Sequence, residues 1–100
     1  MILSSVEVDE RRLQELCRRN DVSTLSVFGS FARGQARPDS DVDLLVEFSK
    51  EKGLLDLVAL ERQLAEIFGR RVDLLTEQSI SPYIRDSVRR DQRVLFDASR

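Results

Sequence analysis

Between Val8 and Asn20 the apolar residues Leu13, Leu16 and Cys17 recur at three- and four-residue steps among Arg, Glu and Gln, a spacing that predicts an amphipathic helix. Thr24 to Phe28 (TLSVF) is a short β-prone run that stops at Gly29. Ser30 to Ser40 is polar, carries arginines and is broken by Gly34 and Pro38, so it reads as a loop with at most one helical turn. In Asp41 to Phe48 (DVDLLVEF), Val42, Leu44, Val46 and Phe48 alternate with other residues, the period of a second strand. After Gly53, the residues Leu54, Leu57, Val58, Leu64, Ile67 and Phe68 return at helical spacing, and Gly69 offers a stop with Arg70 and Arg71 beside the negative helix end. Arg71 to Thr76 (RVDLLT) is a third strand. Ser81 and Pro82 read as a cap and first position of a short helix through Arg90, and Val94 to Phe96 as an edge strand. The first twenty residues suggest nothing beyond a packing helix.

Helices alternating with strands predict an α/β (α+β) fold, a small mixed sheet with helices packed on it. At 100 residues the chain makes one domain, 1–100, with its motif-bearing core at about 24–96. Hydrophobic residues are 41% and charged residues 34%, a soluble globular mixture. Histidine is absent, which excludes Ser-His-Asp and Cys-His catalysis, Cys/His zinc sites and histidine proton shuttles. Cys17 is the sole cysteine; it allows no intramolecular disulfide and favours a reducing compartment. No apolar run reaches the roughly 18 residues of a membrane span, and the start MILSSVEVDE lacks a signal pattern, so cytoplasmic residence is expected. Any chemistry must rest on carboxylates and hydroxyls.

The segment Gly29 to Asp43 (GSFARGQARPDSDVD) puts a Gly-Ser turn at the end of one strand and Asp-x-Asp at the start of the next. Side chains two apart on a strand share a face, so Asp41 and Asp43 project to one side with Cα atoms about 6.6 Å apart. Such a pair suits hard cations like Mg²⁺, which take carboxylate and phosphate oxygens. Gly29 lets a phosphate approach the backbone, and Ser30 offers a hydroxyl and an N–H to a triphosphate. Asp73, flanked by Val72 and Leu74, reaches the same side if the second and third strands are neighbours. Three carboxylates leave one free to accept a proton, and without histidine Asp73 is the expected general base.

Gly-Ser, ten residues, Asp-x-Asp and a later strand-borne Asp resemble the polymerase-β-type nucleotidyltransferase superfamily. The short length is similar to its minimal branch, the MNT domains, which include the antitoxin halves of HEPN–MNT toxin–antitoxin pairs. The resemblance runs from about Thr24 to Phe96 and takes in PYIRDSVRRDQRVLF as the closing helix and strand. It implies the nucleotidyltransferase fold and transfer of AMP from ATP to a hydroxyl, in the antitoxins a tyrosine of the HEPN toxin. Asp41 and Asp43 would hold two Mg²⁺ ions and Asp73 one of them, with Gly29, Ser30 and Arg33 at the nucleotide.

Other residues have plainer roles. Arg33 can grip phosphate oxygens and Arg37 less so, the alternative being ordinary surface arginine. Asp39 follows Pro38 as a turn former, Glu47 belongs to a polar strand face, Cys17 is a small core residue and Tyr83 a packing or surface residue. Two other readings compete with protein adenylylation. The chain could silence its partner by binding alone, although that needs no three convergent carboxylates. It could modify a small molecule, although enzymes of that type carry a further helical domain for the acceptor. Aromatic content of 6% and net charge −2 argue against direct nucleic-acid binding.

Overall fold

The computed structural model describes residues 1–99, so Arg100, the last residue of the expected domain, lies outside the described residues. A two-stranded hairpin, β1 (Ile2–Leu3) and β2 (Val6–Glu7), opens the chain. It is followed by α1 (Glu10–Arg19), β3 (Val22–Phe28), β4 (Val42–Phe48), α2 (Leu54–Phe68), β5 (Val72–Thr76), a 3₁₀ turn (Glu77–Ser79), α3 (Arg85–Asp91) and β6 (Arg93–Asp97). The main sheet has the order β5-β4-β3-β6; β4 and β5 are parallel and the other pairs antiparallel. It is the mixed sheet expected from the sequence.

Alternation decides which sheet face is which. Val42, Leu44 and Val46 of β4, with Val72 and Leu74 of β5, bury against Leu13, Leu16 and Cys17 of α1 and Leu60, Leu64 and Phe68 of α2. The opposite face carries Asp43 and Asp73 at one end, then Leu45 and Leu75, which pack with Phe28, Ile80 and Val88 under the 77–91 segment. Glu61 of α2 accepts a hydrogen bond from the Leu74 N–H at 3.0 Å, closing part of the outer edge of β5.

Four expectations are corrected. The first twenty residues supply a hairpin as well as a helix, and the helix starts at Glu10, capped by the Asp9 carboxylate on the Arg12 N–H at 3.2 Å. On α2, Leu54 and Val58 face solvent (74% and 44% exposed), while Leu60, fully buried, joins Leu64 and Phe68 in the core. Ser81 caps a turn, not a helix: its hydroxyl accepts from Tyr83 N–H, and α3 begins four residues later at Arg85. Gly69 ends α2 in the left-handed conformation as expected (φ 69°), but Arg70 turns away from the helix end to the 37–40 loop.

Candidate active site

The strand-to-loop turn at Gly29 begins the site. Gly29 has φ 71°, a conformation that suits glycine, and the chain after it makes one helical turn: Arg33 N–H donates to the Gly29 carbonyl at 3.2 Å and Gln35 N–H to the Ser30 carbonyl at 2.8 Å. Phe31, only 1% exposed, anchors this turn in the core, with Ala32 packed beside it. Arg70 lies over the Phe31 ring, 5.0 Å from its centroid, and donates to the Arg37 carbonyl at 3.1 Å. It thereby ties the end of α2 to the loop that leads into Asp41.

β4 carries the acids. Asp43 pairs across β3 with Phe28 and across β5 with Asp73, so the two aspartates sit side by side on parallel strands, roughly 4.8 Å apart at Cα. The condition on which Asp73 depended, adjacency of the second and third strands, is met. Asp41 precedes β4 and is exposed; Asp43 is half-buried beneath the Gly29 turn. A Cβ on Gly29 would fall 2.7 Å from Asp43 Oδ2, so the glycine opens the space the carboxylate occupies. Burial, and then the charges of Asp73 and Asp41, push the Asp43 carboxyl above the ordinary aspartate range, and Arg33 offsets this in part.

Among the described residues none of these three acids is in an ion pair, whereas Asp21 pairs with Lys50 and Lys52, and Glu77 with Arg89. A cluster short of positive charge with all-oxygen donors suits a hard divalent cation. No three acidic side chains among the described residues form a ready-made metal cage. Mg²⁺ does not require one, since it keeps water and substrate phosphate oxygens in its shell. Ser30, half-buried at the turn, makes no side-chain hydrogen bond among the described residues.

The remaining candidates separate. Arg33 acts on the Asp43 charge and is held by Asp91, a residue with no local sequence signal, 58 positions away. Arg37 belongs to a hollow with Ser4, Ser5, Val6 and Arg70, away from the acids. Asp39 lies in a turn; Glu47 accepts from the Thr24 hydroxyl at 3.0 Å; Cys17 is buried; Tyr83 is 96% exposed. A cleft of about 630 Å³ bordered by Ser23, Glu47, Phe48, Thr76, Glu77 and Arg85 takes in none of the three acids.

Residues 10–95 match the nucleotidyltransferase domain profile. The chain belongs to the nucleotidyltransferase domain family. It is an enzyme domain of the family's minimal type. Among its relatives is the protein adenylyltransferase MntA of Thermococcus cleftensis, 42% identical over 78 residues, which covers 78% of this chain and 79% of the relative. A solved structure assigned as a minimal nucleotidyltransferase superposes with a TM-score of 0.72 at 43% identity, covering 84% of this chain and 85% of that one. A toxin–antitoxin crystallised with AMP-PNP gives a TM-score of 0.74 at 24% identity, covering 91% of this chain and 75% of that one, and shares the fold.

Proposed function

We propose that this protein is a Mg²⁺-dependent adenylyltransferase that moves AMP from ATP onto a tyrosine hydroxyl of a HEPN-type partner and silences it as an antitoxin in the cytoplasm. The observation that carries the reading is the in-register pairing of Asp43 with Asp73 beneath the Gly29–Ser30 turn. Its identity to the Thermococcus adenylyltransferase supports AMP as the transferred group. The fold shared with a toxin–antitoxin bound to an ATP analogue supports the partner class.

Asp41, Asp43 and Asp73 would hold the metal, which supplies charge neutralisation at the phosphates when bound. The Gly29 turn lets the triphosphate approach the backbone, and Ser30 offers it a hydroxyl donor. The acceptor oxygen attacks the α-phosphorus, the bond from that phosphorus to the bridging oxygen breaks, and pyrophosphate leaves with the electron pair. The acceptor proton passes to a carboxylate, for which Asp73, exposed on the site face, is the assigned base. The fold shared with a toxin–antitoxin supports an acceptor hydroxyl on another polypeptide.

The test is transfer of label from α-labelled ATP to a co-expressed HEPN protein in Mg²⁺, with the modified residue mapped by mass spectrometry. Wild type should label a tyrosine, and Asp41→Asn/Asp43→Asn should lower labelling by about 10³-fold or more, in line with loss of preorganised charge stabilisation. Neutralisation by the double variant at wild-type strength, without label, would show that binding alone does the work. Efficient labelling of a free small hydroxyl compound in its place would reassign the acceptor.

A further inference from the structure

Asp91 closes α3, where the negative end of the helix dipole disfavours an acid, and arginines stand close by at 89, 90 and 93. It pairs with none of them. Its Oδ2 instead accepts from Arg33 Nη1 at 3.1 Å, across 58 positions of sequence. On the other side of the same guanidinium, Arg33 Nε donates to Gln35 Oε1 at 3.3 Å. A side chain that leaves the Gly29 turn is therefore clamped from two directions. Arginine has five N–H donors, so this clamp leaves the others unused. Arg33 also lies in the same turn as Ser30, three residues on, its N–H donating to the Gly29 carbonyl. The same guanidinium acts on the Asp43 charge.

We infer that Asp91 is a positioning residue for nucleotide binding: with Gln35 it fixes Arg33 so that the free guanidinium donors face the triphosphate beside Ser30. This rests on the nucleotidyltransferase reading of the site. An acid near a polyanion is repulsive by charge alone. Positioning and repulsion therefore pull in opposite directions, and two substitutions separate them. Asp91→Ala removes both the acceptor and the charge, whereas Asp91→Asn removes the charge and keeps an acceptor oxygen.

The experiment is calorimetric titration of the full chain with ATP in Mg²⁺, alongside thermal melting. Asp91→Ala should weaken ATP binding about threefold, the size of an exposed ion pair's contribution, and Gln35→Ala should act in the same direction. Asp91→Asn should bind at least as tightly as wild type. In an Arg33→Ala background, Asp91→Ala should no longer weaken binding, because its positioning effect runs through that guanidinium and only the direct repulsion is left to remove. A merely structural tether between α3 and the loop would lower Tm in the Ala variants and leave affinity unmoved. Unchanged affinity in Asp91→Ala, or the same loss with Arg33 already absent, overturns the assignment. Wild type that fails to bind MgATP overturns the site reading itself, a result distinct from failure of Asp91 alone.

Discussion

At Gly29 the left-handed backbone (φ 71°) and the carboxylate beside it act together. Any L side chain there meets a strained φ, and its Cβ meets Asp43 Oδ2 at 2.7 Å. Gly29→Ala should cost about 1–2 kcal/mol, a Tm loss of roughly 5–10 °C, and lower transfer by about 10²-fold because the displaced acid sits at the reacting centre. Melting and transfer assays on one preparation check both; full activity would remove the glycine from the site. Asp43 shows the opposite balance between stability and function. Its carboxyl is held above the ordinary range by burial and by Asp73 and Asp41, so the folded chain binds this proton more readily than the unfolded chain does. Ionisation therefore destabilises the fold at neutral pH, and the penalty fades as pH falls through the raised folded-state value and is gone below the ordinary carboxylate range. Asp43→Asn should abolish transfer yet raise Tm at neutral pH, with the gain vanishing on acidification. A gain that persists unchanged in acid would show that its source is not this charge.

At the scale of elements, the sequence was legible where a period could run. β4 shows its alternation over seven residues, and α2 its repeat over fifteen. The Asp43–Asp73 neighbourhood could be stated only as a condition, since register lies in the pairing of strands and not in either strand. β1 and β2, two residues each, are too short to show a period. Leu54 and Val58 face solvent because, at 3.6 residues per turn, they lie about 80° and 120° round the helix from Leu64, off the stripe formed by Leu60, Leu64 and Phe68. Phe31 had a signal, a lone aromatic in a polar segment, whereas Asp91 had none. The hairpin also contains a local conflict. Ser4 and Ser5, the two residues between paired Leu3 and Val6, both have positive φ (47° and 72°), the backbone of a turn that favours Asn-Gly. The Ser4 hydroxyl accepts from Ala36 N–H at 3.2 Å and is worth keeping. Ser5→Gly relieves the strain without touching it and should stabilise by about 0.5–1 kcal/mol, the left-handed strain less the glycine entropy. Chemical denaturation measures this directly, and a loss would mean that the turn tolerates serine without strain.

At the scale of the whole molecule, Cys17 reports on cooperativity. It is fully buried in the core that α1, α2 and the sheet share, and burial pushes its thiol up to about 12. At neutral pH it is neither ionised nor reachable, so a thiol reagent modifies it only when the core opens. The proposed site lies on the opposite sheet face from Cys17. If the fold opens as one unit, however, any ligand that binds only the folded state lowers the open population by the factor 1 + [L]/Kd. With reclosing fast relative to modification, MgATP at a hundred times its Kd should slow Cys17 labelling by about 100-fold. Asp41→Asn/Asp43→Asn should abolish the protection if those acids carry the metal and nucleotide. Labelling that is fast and indifferent to both MgATP and denaturant would instead mean that α1 lifts from the sheet by itself. The active-site face and the helical face would then be separate units of stability, and the tie that Arg70 makes between the end of α2 and the loop before Asp41 would not couple them.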